Sequence, residues 1–294
     1  MEGDCCRSGD PASVGEHCNR FRKQTCRLSA RLPRSLDEIC MRLLEDRVVI
    51  ISGAAHPKGI GKATAQLFVE HGARVAVLDL DETSLKESAH DISPDPSKVI
   101  ALQCDVSSME QCQRAVSQVM DWSGGRIDVL VNNAAITQKA AFQEITEAEF
   151  DRITSVNLRG VFFLSKAVIP AMKAQASGSI VCISSLSAQN GGGIFGGAHY
   201  CGAKAGVLGM ARAMAKEFGP HGIRVNTIAP GLVTTDFSKT GRSDESKDES
   251  AQAWPLRRAG RPYEIANGCL FLASDLSSYV TGTTLDINGG AYMN

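Results

Sequence analysis

VVIISGAAHPKGIGKATAQLFVEHGARVAVLDL, Val48–Leu80, is the stretch that decides the fold. Val48–Ser52 is a short β-branched apolar run, the composition of a buried strand. Glycines follow at Gly53, Gly59 and Gly61, with Ile60 between the last two. Ala63, Leu67 and Phe68 then recur at helical spacing until Gly72 closes the segment. Glycines between a strand and a helix place backbone N–H groups and the positive helix end where a pyrophosphate can sit. A ligand-free tight turn has the same look, and the next strand separates the two readings. Arg74–Leu80 ends in Asp79, about 20 residues beyond the glycines. An acid there accepts hydrogen bonds from ribose hydroxyls and repels a 2′-phosphate, which favours NAD. Lys58 pulls weakly towards NADP, since its cation could attract that phosphate.

Strand and helix patterns alternate from there to the end of the chain. Strands are expected at Val99–Cys104, Val129–Val131, Gly178–Ser184, Ile223–Ile228 and Thr284–Ile287. Helices are expected at Ser108–Trp122, Thr146–Ala174, His199–Phe218 and Tyr263–Ala273. Such alternation predicts an α/β fold: one doubly wound parallel sheet of Rossmann type, helices on both faces, a single domain. Ligands then bind beyond the carboxyl ends of the strands. The glycine turn, Asp79, Asn132, Ser185 and Pro230 all fall there. Thr234–Trp254 is polar, charged and without periodicity, and reads as a mobile lid over the site.

The chain has 294 residues, 43% of them hydrophobic, and a net charge of −1. That charge gives no reason to expect nucleic acid or an anionic membrane as partner. No apolar run approaches the length of a membrane span. Residues 1–40 are rich in Arg, Cys and Ser and lack hydrophobic periodicity, so disorder is the default reading. Glu2, Asp4, Asp10 and Glu16 argue against a transit peptide. A cytoplasmic location is expected, with organelle targeting by this extension left open, and residues 41–294 form the working domain. Five of the ten cysteines lie in the extension. With His17 they match no standard zinc spacing, and no metal site is expected. The other five, Cys104, Cys112, Cys182, Cys201 and Cys269, read as buried reduced thiols.

The chemistry is concentrated in SSLSAQNGGGIFGGAHYCGAK, Ser184–Lys204. Tyr200 and Lys204 stand four apart, on one face of a helix. A free tyrosine has a pKa of about 10 and is a poor base at neutral pH. A nearby ammonium stabilises the phenolate, so the pair is expected to lower that value. The tyrosine could then exchange a proton with an alcohol or carbonyl, while a serine hydroxyl holds the same oxygen. An exposed helical Tyr–Lys pair is the bland alternative.

The set Gly53/Gly59/Gly61, Asp79, Asp105, Asn132–Ala135, Asn157, Ser185, Tyr200, Lys204 and Pro230-Gly231, in this order, closely resembles the short-chain dehydrogenase/reductase family. The resemblance runs from Leu43 to the C-terminus and includes PLRRAGRPYEIA and the ending YVTGTTLDINGG. It implies an oxidoreductase acting on a CH–OH group. Tyr200 would be the acid/base, and Lys204 would tune it and bind the nicotinamide ribose. Ser185 would polarise the substrate oxygen, and Asn157 would kink its helix and hold a relay water. Asp105 and the Val106 backbone would meet the adenine, Asn132 would steady the central strand, and Val233 and Thr235 would hold the carboxamide. The family usually forms tetramers through its two long helices, so a homotetramer or homodimer is implied.

Three departures stand out. The glycine turn has two residues more than the family's usual spacing, at His56-Pro57; NNAG becomes NNAA at Ala135; and the Ser185–Tyr200 interval is longer than usual by about two residues, which makes Ser187 a fallback serine. The expected reaction is reversible hydride transfer between NAD and a secondary alcohol or ketone of sugar, polyol or hydroxy-acid type. A 3-oxoacyl-carrier-protein reductase is the alternative; such enzymes generally use NADPH, and Arg257, Arg258 and Arg261 could receive the carrier. A non-catalytic NAD-binding sensor or scaffold is a further one. Thr137, Gln189, Phe195, Trp254 and the lid are expected to line the substrate pocket.

Overall fold

The computed structural model describes residues 42–192, 196–237 and 243–293. The readings made for residues 1–40 and for Phe195 lie outside the described residues.

Seven strands form one sheet: β1 (Val48–Ser52), β2 (Arg74–Asp79), β3 (Val99–Gln103), β4 (Val129–Asn132), β5 (Gly178–Ile183), β6 (Ile223–Pro230) and β7 (Thr284–Ile287). They pair in the order β3-β2-β1-β4-β5-β6-β7, and every pair is parallel. Every residue of β1 is buried, which is why it reads as an unbroken apolar run. Val49 and Ile51 share a core with Phe68 of α1 (Ile60–Glu70), Leu85 of α2 (Glu82–Ile92) and Ile265 of the late helix Pro262–Ala273. Val48 and Ile50 belong to the other core. It holds Val116 of α3 (Met109–Ser123) and, from the two long helices described below, Leu164 and Val207. Each fully buried Val or Ile contributes roughly 1.5–3 kcal/mol. The chain leaves β1 for β2 on one side and β4 lies on the other, so the crevice opens at the carboxyl ends of β1 and β4.

Three elements differ from the sequence reading. Helix α2 was not expected. Its inward stripe is thin, Leu85, Ser88 and Ala89, and the Asp81 side chain starts it by accepting from the Thr83 and Ser84 amides. The helix expected at Thr146–Ala174 is two helices, α4 (Glu147–Thr154) and α5 (Gly160–Gln175), joined by a π turn at Ser155–Arg159. The cause is Asn157. Its Nδ2 donates to the Ile153 carbonyl at 2.9 Å and the Ile136 carbonyl at 2.8 Å, taking an acceptor that an α-helix uses for its own backbone. The supposedly aperiodic 234–254 stretch contains a helix. After the short α6 (Ser187–Asn190) and the long α7 (Ala198–Phe218), α8 (Asp244–Ser250) is capped by Ser243 and buries Lys247; α9 (Pro262–Ala273) follows. The five later cysteines are free thiols; four are buried, while Cys201 is only half-buried.

Candidate functional site

The glycine turn is held by the end of β4. Gly53 sits at φ 72°, and a Cβ there would lie 2.7 Å from the Ala134 Cα. At Gly61 a Cβ would lie 2.3 Å from the Gly53 carbonyl oxygen. Asn133 Nδ2 donates to the carbonyls of Ser52 (2.9 Å) and Gly53 (2.8 Å). Gly59 begins α1 with no side-chain cap, and no acid occupies the first turn. The amides of Ile60 and Gly61 therefore face the crevice at the positive end of a helix, a cradle that fits a pyrophosphate.

Asp79 stands at the tip of β2. Its Oδ2 accepts from the Ala55 amide at 3.0 Å and its Oδ1 from the Leu80 amide at 2.8 Å, which fixes the carboxylate beside the turn. Lys58 is exposed, and its amide donates to His56 Nδ1 at 3.2 Å. Beyond β3, Asp105 Oδ1 accepts from the Ser107 amide (2.9 Å) and hydroxyl (2.7 Å), and Val106 is buried against Gly160. Asn132 Nδ2 donates to Ser165 Oγ at 3.0 Å and lies 3.5 Å from Cys182 Sγ, tying β4 to β5 and α5.

Tyr200 and Lys204 lie on the buried face of α7, 5% and 2% exposed. Ser185 hydrogen-bonds the Tyr200 oxygen. The Ser187 amide donates to Ser185 Oγ at 3.1 Å, so the fallback serine supports Ser185 through its backbone. Lys204 Nζ donates to the Ile183 carbonyl at 2.8 Å and stands 6.0 Å from the Tyr200 ring centre. Asn157 Oδ1 is buried without a hydrogen-bond partner, an acceptor left over beside this group.

The expected lowering of the Tyr200 pKa is overturned for the chain by itself. Burial pushes the phenol up to about 12, against the pull of the Ser185 hydrogen bond. Burial likewise pushes the Lys204 ammonium down to about 8. The lysine is spent on a backbone carbonyl, and desolvation of the phenolate outweighs it. A stability effect follows. Below pH 8 the ammonium is charged whether the chain is folded or not, and the fold carries the full burial penalty. Between about 8 and the ordinary 10.5 the unfolded chain holds the extra proton, so this penalty fades as pH rises. That fall in pKa corresponds to roughly 3 kcal/mol, against about 1–2 kcal/mol for the hydrogen bond to Ile183. Lys204→Met should therefore raise the melting temperature of the cofactor-free protein at pH 7, by less at pH 10. Calorimetric scans showing a lower value at pH 7 would refute this balance.

On the other wall, β6 ends in Pro230. A Cβ at Gly231 would lie 2.9 Å from the Asn288 Cα, so the chain leaves the sheet against β7's exit. Val233 bridges Gly260, and Val233, Thr234 and Thr235 are buried. Phe237, 40% exposed, brings its ring centre to 6.4 Å from that of Tyr200. Of the expected pocket residues, Thr137 is half-buried on the loop after β4. Gln189 is turned to Asp286 of β7, donating at 2.8 Å, and Trp254 stands near Gly289. The expected basic patch is largely neutralised: Arg258 pairs with Glu264 at 2.6 Å and Arg261 with Asp248 at 3.0 Å. Arg258 holds the Glu264 carboxyl down at about 2. The sequence reading did not single out Asn133, Phe237 or Lys247. Asn133 lay inside the quoted NNAA; the other two lay inside the expected lid 234–254, with no signal of their own.

A glycine turn that fits a phosphate, at the crevice of a doubly wound sheet, together with the half-buried Ser185 and the buried Tyr200 and Lys204, is an arrangement that suits a nucleotide-dependent enzyme. The sequence profile of the family described as enoyl-(acyl carrier protein) reductase matches residues 53–292. An uncharacterised short-chain type dehydrogenase/reductase of Sinorhizobium fredii is 49% identical over 249 residues, 84% of this chain and 98% of that one. A 3-oxoacyl-(acyl-carrier-protein) reductase of Thermotoga maritima is 40% identical over 250 residues, again 84% and 98%. Among solved structures, a short-chain dehydrogenase/reductase of Brucella melitensis described as glucose/ribitol dehydrogenase superposes with a TM-score of 0.76 at 36% identity, covering 86% of this chain and 99% of that one. The chain belongs to the short-chain dehydrogenase/reductase family. It is an oxidoreductase of carbonyl and hydroxyl groups that binds a nicotinamide cofactor.

Proposed function

We propose that the protein interconverts a secondary alcohol and a ketone with NAD(H), on a sugar, polyol or hydroxy-acid type of substrate. The nicotinamide cofactor supplies the hydride when bound. The chain's own residues position and manage the proton. The amides of Ile60 and Gly61 hold the pyrophosphate, with Gly53 and Gly59 keeping the approach open. Asp79 takes the adenine ribose, Asp105 and Val106 the adenine, and Val233 and Thr235 the carboxamide; Asn132 and Ala134 form the floor, and Pro230-Gly231 the far wall. Ser185 and Tyr200 share the substrate oxygen. With its pKa pushed up, Tyr200 is protonated at neutral pH and suits donation to a carbonyl. Lys204 reaches the nicotinamide ribose, and Asn157 Oδ1 accepts from a relay water.

The observation that carries the NAD reading is the Asp79 carboxylate, pinned by two amides beside the turn, with Lys58 exposed at its tip. Asp79→Ala is expected to shift the NADP/NAD ratio of kcat/KM by about tenfold or more towards NADP, the effect of removing roughly 1.4 kcal/mol of discrimination. Steady-state rates with both cofactors on an alcohol and ketone panel test it. A wild type that already prefers NADPH would sink the NAD assignment.

The likeness to the Thermotoga maritima reductase keeps the 3-oxoacyl-carrier-protein reading as the second one. Arg258 and Arg261 are already paired, which speaks against that patch receiving an acidic carrier. We further infer a homotetramer or homodimer. Phe150 of α4 and Phe162 of α5 are 50% and 45% exposed, apolar surface that a second copy would cover.

A further inference from the structure

We propose that Lys247 is a positioning residue: its buried ammonium fixes the strap Val233–Phe237, and through it the nicotinamide end of the cofactor. The inference rests on the cofactor placement above. Lys247 is 3% exposed, in a run, DESKDES, otherwise made of polar side chains. Burying an ammonium is costly unless its protons are used. Here one goes to the Thr235 carbonyl at 2.8 Å, and Asp244 Oδ1 stands at 3.4 Å.

Helix α8 has other anchors. Asp248 Oδ1 accepts from the Ala259 amide at 2.9 Å, Asp248 Oδ2 from Arg261 at 3.0 Å, and Ala251 is fully buried. The distinct contribution of the ammonium is its hold on Thr235. The strap's first half is already pinned, because the Thr234 amide donates to the Gly260 carbonyl at 2.9 Å. Its second half turns at Thr235, whose amide donates to the Val233 carbonyl at 2.8 Å and whose Oγ1 accepts from the Phe237 amide at 3.4 Å. Lys247 supplies the second pin. It thereby sets both the Thr235 hydroxyl, offered to the carboxamide, and the Phe237 ring beside Tyr200.

ADP-ribose shares the adenine, both riboses and the pyrophosphate with NADH but lacks the nicotinamide, so comparing the two isolates the effect. Lys247→Met should weaken NADH binding about tenfold while ADP-ribose stays within about twofold, by calorimetry on the full chain. Lys247→Gln keeps a donor and should recover most, though not all, of the NADH loss; if the Met variant fails to fold, the readout is the residual loss in the Gln variant, about threefold for NADH against none for ADP-ribose. Equal losses for both ligands, accompanied by a lower melting temperature, would reduce Lys247 to a structural role and overturn the proposal. So would unchanged affinities for both. A wild type that binds ADP-ribose but neither NADH nor NADPH would instead overturn the cofactor placement itself, and the inference with it.

Discussion

Tyr200→Phe should lower kcat by about 10²–10⁴-fold while the dissociation constant for the dinucleotide stays nearly unchanged. The ring packs with Ile153 and Ala203, and Phe preserves that packing. Only the hydroxyl goes, and with it the proton that meets the substrate oxygen beside Ser185. The protein should also stay as stable, because the phenol's hydrogen bond is with Ser185, which is only half-buried and can turn to solvent. Stopped-flow turnover and cofactor titration on the same sample separate the two quantities. Retention of full turnover would remove Tyr200 from the chemistry. Loss of cofactor binding would show that the hydroxyl also holds the cofactor, and the fall in kcat could then not be assigned to proton transfer alone.

Gly61→Ala is the second large effect. The added methyl would stand 2.3 Å from the Gly53 carbonyl oxygen and 2.7 Å from Asn133 Nδ2. Neither neighbour can yield cheaply: one is backbone, and the other is tied to the Ser52 and Gly53 carbonyls. The helix must lift away from the turn, as an overpacked core does, at about 1–3 kcal/mol. The same movement breaks the cradle, so dinucleotide affinity should fall by about 100-fold or more, the loss of roughly 3 kcal/mol of amide contacts. Thermal unfolding and cofactor titration check both. Gly202→Ala, at an exposed helical position where the added methyl meets nothing beyond its own helix within 4 Å, serves as the control: it should leave dinucleotide affinity unchanged and the melting temperature unchanged or slightly raised.

The sheet was legible because its inner strands are covered on both sides and so read as solid runs. Val48–Ser52 followed by glycines and a second run ending in Asp79 is sufficient for that. Helix α2 was not legible, since only Leu85 and Ala89 mark its inner stripe and a cap, rather than a stripe, starts it. The break at Asn157 depends on a side chain competing with backbone for Ile153, which periodicity does not register; only the family resemblance, which implied a kink at this residue, pointed to it. Tyr200, Lys204 and Ser185 were legible as a group, and the structure brings them together. The direction of the tyrosine's shift was not, because spacing reports a neighbouring cation but not the depth of burial. Lys247 was hidden for the same reason: a lysine in an acidic run looks solvated until the fold covers it.

A π turn carries one residue more than an α turn, so α5 starts about 100° out of phase with the continuation of α4. The amide that creates this offset also leaves its carbonyl oxygen looking inward. Chemistry and gearing are thus locked in one side chain. A variant that mends the helix must forfeit the inward acceptor and rotate one half of the shaft against its neighbours.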